Sequence, residues 1–208
     1  MSEKKSIYIW LIIFFSLLVW SGVKPHDFFT WFLEVLPALI ALIILFITYK
    51  YFKFTRFVYW LILIHAIILM VGGHYTYAQV PLFNWIRDAF NLTRNHYDKV
   101  GHFVQGFIPA IIVREILIRK SPLKPGKWLF FIVVSICLAV SAFYELIEWW
   151  VALATGSAAE AFLGTQGYVW DTQSDMALAL LGAILALIFL SRYHDKCLAG
   201  IKKERIYS

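Results

Sequence analysis

The sequence is poor in charge. Asp, Glu, Lys and Arg make up 15% of its 208 residues, against about a quarter in an ordinary soluble domain. That scarcity excludes a globule covered by solvated side chains. Cysteine is nearly absent as well. Cys137 falls inside an apolar run and Cys197 in the C-terminal tail, so the two cannot meet, and neither a disulfide nor a thiolate metal site is expected. Both read as inert small side chains. The six prolines form no Pro-rich tract, and no repeat or low-complexity stretch supplies a linker. The apolar/polar alternation of outer-membrane strands is also missing.

What is present is hydrophobicity. The chain is 61% hydrophobic and 18% aromatic, with mean hydropathy +0.72. The apolar residues gather in six runs: 7–23, 31–49, 57–73, 99–118, 128–151 and 175–191. Each is near the ~20 residues that a helix needs to cross ~30 Å of hydrocarbon. Lipid offers the backbone no hydrogen bonds, so these spans are expected to be helical. The expected fold is all-α: a polytopic membrane helix bundle of about six transmembrane helices, forming one transmembrane domain over 1–208. Lys4 and Lys5 ahead of the first run imitate a signal peptide. The run is long for one, and Trp20-Ser21-Gly22 is a poor cleavage site, so retention is expected.

The few charges are sorted by side. Fifteen of the 19 Lys and Arg residues fall on the side of the N-terminus. The positive-inside rule puts that side, with both the N- and the C-terminus, in the cytoplasm. This sorting accounts for the net charge of +6 without a nucleic-acid partner; the basic residues flank apolar spans and form no recognition motif. The expected location is a bacterial inner (cytoplasmic) membrane, in multi-pass form. Nine of the 13 acids fall on the outer side. Trp20, Trp31, Trp149, Trp150 and Trp170 near outer ends, and Trp10, Trp60 and Trp128 near inner ends, form the expected aromatic belts. Two outer loops are long. In 74–98, Leu82, Trp85, Ile86, Ala89 and Phe90 recur at helical spacing, which predicts a short helix lying in the interface. Residues 152–174, with Gly156, Gly164 and Gly167, are expected to form an ordered loop or re-entrant turn.

Three closely spaced pairs stand at the outer ends. Asp98 and His102 open span four, Glu145 and Glu148 close span five, and Asp171 and Asp175 open span six. Residues three or four apart share a helix face. Two carboxylates ~4 Å apart repel by around 4 kcal/mol at an effective dielectric of ~20, so a proton, a basic partner or a metal must offset them. Polar groups at membrane depth are expensive and read as functional by default. Odd and even spans run in opposite directions, so these pairs and His74 are expected at one depth. Asp98, His102, Glu145, Asp171, Asp175 and His74 are therefore candidate ligands for a divalent ion, with Zn, Mn, Fe and Mg all compatible with mixed N/O donors. His102, Glu145 and Glu148 are the candidate catalytic groups, with Glu148 as general base. Lys99, Gln105, Arg87, Arg94 and Tyr144 are candidate substrate contacts, the arginines for a phosphate. Alone, Asp171 also suits a helix N-cap. Glu34 and His65 are weaker candidates, His65 being readily explained by a hydrogen bond across helices.

The stretches HYDKVGHF, YELIEWW and GYVWDTQSDM resemble the YjdF-like family of bacterial inner-membrane proteins. More distantly, D-K-x-x-H-F, a later Glu and Asp175 with Gly182 resemble the VanZ-like group of the cell envelope. By that likeness Asp98, Lys99, His102, Glu145 and Asp175 carry over, whereas Glu148 and Ala179 depart from the pattern.

These observations give two readings. One is a membrane-embedded, metal-dependent enzyme, a hydrolase opening to the periplasmic face and acting on a lipid or lipid-linked envelope substrate. The other is a non-enzymatic binding protein or transporter for a cation or lipid headgroup. Transporter acids usually sit near the midplane on broken helices, which favours the first.

Overall fold

The computed structural model describes residues 3–156 and 160–206. Among these residues are eight helices: α1 Glu3–Gly22, α2 Phe28–Thr48, α3 Arg56–Tyr75, α4 Pro81–Ala89, α5 Tyr97–Lys120, α6 Lys127–Thr155, α7 Glu160–Leu163 and α8 Asp171–Ile206. No strand occurs among the described residues. Helices α1, α2, α3, α5, α6 and α8 are long and apolar enough to cross a membrane, so the protein is a polytopic helical membrane protein. Ile12, Val19, Ile43, Phe46, Ile188 and Phe189 are exposed, which in water would be costly and in lipid is the favoured state.

Local sequence sets the ends. Asp27 caps α2: its Oδ1 accepts from the Thr30 amide at 2.7 Å. Those hydrogen bonds hold the carboxyl below its ordinary value. Pro81 opens α4, where its fixed φ suits the first turn. α4 spans the stretch predicted to form a short helix, with Leu82 and Trp85 exposed.

Two expectations need correction. The stretch after residue 191, read as a tail, continues α8 to Ile206. Residues 152–174 are more helical than expected: α6 runs on to Thr155 and α7 follows, with left-handed backbone at Gly164, Gln166 and Gly167. Asp171 stands at the start of α8, where a helix end is defined only to within a residue or two.

The chain forms two compact units, each assembled from three stretches of sequence. The first comprises Met1–Lys50, Leu63–Gly101 and Leu146–Val169. Its core holds Trp10 and Phe14, stacked at 5.2 Å, and a cluster of Tyr77, Val80 and Tyr97. Tyr77 explains two glycines. A Cβ at Gly72 would overlap its ring, and one at Gly101 would come within 2.8 Å of it. Thr76 and Tyr77 themselves take left-handed φ values of 58° and 51°, closing α3 with a turn in which the Tyr77 amide donates to the Gly72 carbonyl at 2.8 Å.

The second unit comprises Tyr51–Ile62, His102–Glu145 and Trp170–Ser208. Here α5 and α8 pack backbone to backbone. A Cβ at Gly106 would strike the Ala179 carbonyl, and one at Gly182 the Phe103 carbonyl. Ala179, Ala183 and Ala186 are fully buried along the same stripe. Small residues permit this approach, the usual device where lipid supplies no hydrophobic drive for helix association.

Candidate functional site

Six residues singled out from sequence are buried inside protein rather than turned to lipid or water. Asp98, His102, Glu145, Glu148, Asp171 and Asp175 are each between 3% and 8% exposed. Such burial of ionisable groups requires partners.

Within the second unit, α5, α6 and α8 bring three of them together. His102 Nδ1 lies 3.7 Å from Glu145 Oε1. His102 Nε2 lies 3.9 Å from Asp175 Oδ2. Both separations exceed an ordinary N–H···O hydrogen bond. The 3.9 Å gap suits two donors on one ion, since ligand bonds of ~2.0–2.2 Å place two donors no more than ~4.4 Å apart. The two nitrogens of one imidazole point away from each other, so a single ion cannot take both. Glu145, expected as a ligand, faces the ring nitrogen opposite the one that Asp175 faces. It lies on the side from which a carboxylate orients a ligating histidine, at a separation longer than the hydrogen bond such an arrangement uses. One turn before Glu145 on α6, Ser141 is fully buried, and its hydroxyl makes no hydrogen bond. Asp171 lies one turn before Asp175 on α8. Gln105 and Tyr144 are half-buried, one turn beyond His102 and beside Glu145 respectively.

Within the first unit, α5 begins with a basic group around Asp98. Arg94 Nη2 and Lys99 Nζ lie 3.5 and 3.7 Å from Asp98 Oδ2. Arg94 Nη1 donates to the Thr165 carbonyl at 2.8 Å, and both cations lie over the Tyr168 ring, at 5.3 and 5.6 Å from its centroid. Asn95 and Gln166 add a reciprocal pair: the Asn95 amide donates to Gln166 Oε1 at 3.0 Å, and Gln166 Nε2 donates to the Asn95 carbonyl at 2.9 Å. Together these bonds tie the 165–168 loop to the start of α5. The imidazole of His96 is held below its ordinary value, first by burial and then by the charges of Arg94 and Lys99. On helix α5 Asp98 precedes His102 by one turn, and on α6 Glu148 follows Glu145 by one turn, so each pair shares a helix face.

Two expected site residues make other contacts. His74 Nδ1 lies 3.0 Å from the Ser21 carbonyl, which can only accept, so this nitrogen donates. Its ring lies 4.6 Å from that of Trp20, and it serves the packing of α1 on α3. Arg87 pairs with its neighbour Asp88 at 2.8 Å on the exposed side of α4, and that hydrogen bond raises its pKa.

A second buried histidine was not read from sequence at all. His194 and Glu115 are both fully buried, with His194 Nε2 3.0 Å from Glu115 Oε2. Glu115 also accepts from the Thr55 amide at 2.8 Å, from Thr55 Oγ1 at 2.7 Å and from Arg119 Nη1 at 2.5 Å. Arg114 Nη1 lies 3.0 Å from His194 Nδ1, and Arg114 Nη2 donates to Asp195 Oδ1 at 2.7 Å. A guanidinium can only donate, so Nδ1 of His194 accepts and Nε2 donates to Glu115. The one sequence signal was Glu115, an acid within a span on the basic side; His194 lay in what read as a tail.

The chain is 51% identical over 178 residues to the Inner membrane protein YjdF of Escherichia coli (strain K12), covering 86% of this chain and 85% of that protein. No solved structure matches. The VanZ-like resemblance finds no support in these comparisons. A family described as "Predicted membrane protein (DUF2238)" matches residues 6–196, and the chain belongs to this family of integral inner-membrane proteins.

Proposed function

We propose that this protein is a membrane-embedded, metal-dependent hydrolase acting on a lipid or lipid-linked envelope substrate at the periplasmic face. The observation that carries the reading is buried His102 with its Nε2 3.9 Å from Asp175 Oδ2, a separation that two donors on one ion can span. His102 Nε2 and Asp175 are the proposed core ligands, with Asp171 one turn earlier on α8 adding an oxygen donor. Glu145, facing the other nitrogen at 3.7 Å, is the proposed orienting carboxylate once an ion draws the group together. A divalent ion in such a set lowers the pKa of bound water and polarises a phosphoryl or acyl oxygen. Glu148 is the proposed general base, and Arg94 and Lys99 the contacts for an anionic headgroup. The fully buried Ser141 hydroxyl, which makes no hydrogen bond, supports a polar interior at this end of α6.

The test uses purified full-length protein in lipid nanodiscs. It is stripped of metal, reloaded with Zn2+, Mn2+ or Mg2+, and offered synthetic phospholipids and a polyprenyl diphosphate. Release of headgroup or phosphate that depends on the ion and falls at least a hundredfold in Glu148→Gln is expected. Stoichiometric ion with no turnover of any substrate would instead favour a binding protein.

A further inference from the structure

The buried His194–Glu115 cluster is absorbed by no step of the proposed chemistry, yet it joins the two helices that carry His102 and Asp175. We infer that His194 and Glu115 are positioning residues: they lock α5 and α8 in register at the cytoplasmic end and thereby set the separation of His102 and Asp175 at the other. This rests on the metal-site reading above only for its functional consequence; the mechanical link stands on its own contacts.

Three successive rungs join these helices within the second unit. His102 meets Asp175 at 3.9 Å. Next, Gly106 abuts the Ala179 carbonyl and Gly182 the Phe103 carbonyl, with no room for a Cβ at either glycine. Last, Arg114 and Glu115 grip His194 and Asp195 through bonds of 2.7–3.0 Å. The backbone contact resists approach but, being made of small apolar groups, does little to resist sliding or rotation. The clasp is the directional element. Its bonds need a donor at one point of residue 194 and an acceptor at another, and Arg114 binds two successive residues of α8. Thr55 and Arg119 fill the remaining acceptor positions of Glu115, so this carboxylate cannot swing without breaking several bonds in a buried place. Because α8 is one continuous helix through both His194 and Asp175, a shift at His194 is delivered to Asp175; α5 carries Pro109 between Glu115 and His102, so α8 is the stiffer arm.

The test compares His194→Leu, which keeps bulk but has neither polar role, with His194→Gln. A glutamine amide offers one acceptor for Arg114 and one donor for Glu115, as the ring does. Two readouts are taken on full-length protein in nanodiscs. One is affinity for Mn2+ or Zn2+ alone. The other, independent of any ion, is cross-linking of an introduced His102→Cys/Asp175→Cys pair by a short bifunctional thiol reagent in a Cys137→Ala/Cys197→Ala background. His194→Leu is expected to weaken ion affinity about tenfold, the low end of what loss of an orienting partner costs, and to cut cross-linking severalfold. His194→Gln is expected to restore both to within about twofold. Should His194→Leu fail to fold, Asp195→Asn, at a partly exposed position, is expected to give the same pattern in weaker form. Unchanged cross-linking in a folded His194→Leu or Asp195→Asn protein overturns the inference. Absence of ion binding in the parent protein, with cross-linking still responsive, overturns the metal reading and leaves the mechanical link supported.

Discussion

Two buried histidines sit in one unit of this molecule and are treated in opposite ways. Around His194 the distances are 3.0 Å to Glu115 and 3.0 Å to Arg114, and the charges of Arg114 and Arg119 answer those of Glu115 and Asp195. Around His102 two carboxylates stand at 3.7 and 3.9 Å. The first arrangement is closed: donors meet acceptors at bonding distance and opposite charges balance. The second keeps acids apart at a spacing that a cation would draw in. A buried group whose charges and hydrogen bonds are matched specifies structure, whereas acids gathered about one imidazole call for a proton or a cation. Polarity and burial alone do not separate the two clusters; distance and the sign of the neighbours do.

The largest expected effect falls on the closed cluster. Glu115→Ala strands the Arg119 guanidinium, the His194 ring and the Thr55 amide at once, and breaking a buried ion pair costs about 3–5 kcal/mol. Reversible unfolding in detergent should register that loss, while His102→Ala in metal-free protein should cost far less. Equal losses at the two positions would abolish the distinction. The helix contact joining the clusters comes next. Gly182→Leu forces a side chain into the Phe103 carbonyl, and overpacking of this kind costs about 1–3 kcal/mol. The same substitution at Gly200, which has open space around it, should be nearly silent in the same assay.

Glu145→Gln addresses the open cluster. It keeps the shape of the side chain but removes the charge facing His102 Nδ1. Ion affinity, read by equilibrium titration, should fall about 10–100-fold with little change in metal-free stability. No change in affinity would remove Glu145 from the site.

The smallest effect concerns the basic group at the start of α5. Burial and the neighbouring cations hold the His96 pKa down in the folded protein, so below pH ~6.5 the unfolded chain binds a proton that the folded one refuses. Stability from this residue is thus complete above the unfolded value. It is lost as pH falls towards the folded value, after which the curve levels. A stability–pH profile should show this slope, and His96→Gln should flatten it.

Much of this was legible in the sequence for a simple reason. An acid or imidazole in an apolar run has few explanations, so Asp98, His102, Glu145, Glu148, Asp171 and Asp175 stood out and all are buried. The six spans were legible because length and hydropathy alone set them. Partners were harder. His74 looked like a ligand because its partner is the Ser21 backbone carbonyl, and backbone carries no residue signal. Arg94 meets the Thr165 carbonyl 71 residues away for the same reason. The His194 cluster was hidden because its members sit among the basic residues of the cytoplasmic side, where charge is expected to be solvated. Only the continuation of α8 to Ile206, with His194 pinned to α5, turns that stretch into structure.

Elemental analysis of protein purified without chelator tests the central claim most directly. About one divalent ion per chain is expected, with His102→Ala and Asp175→Asn reducing it to background and His194→Gln leaving it in place. A parent protein that is folded, chelator-free and devoid of stoichiometric metal even after dialysis against Zn2+, Mn2+ and Mg2+ would contradict the account.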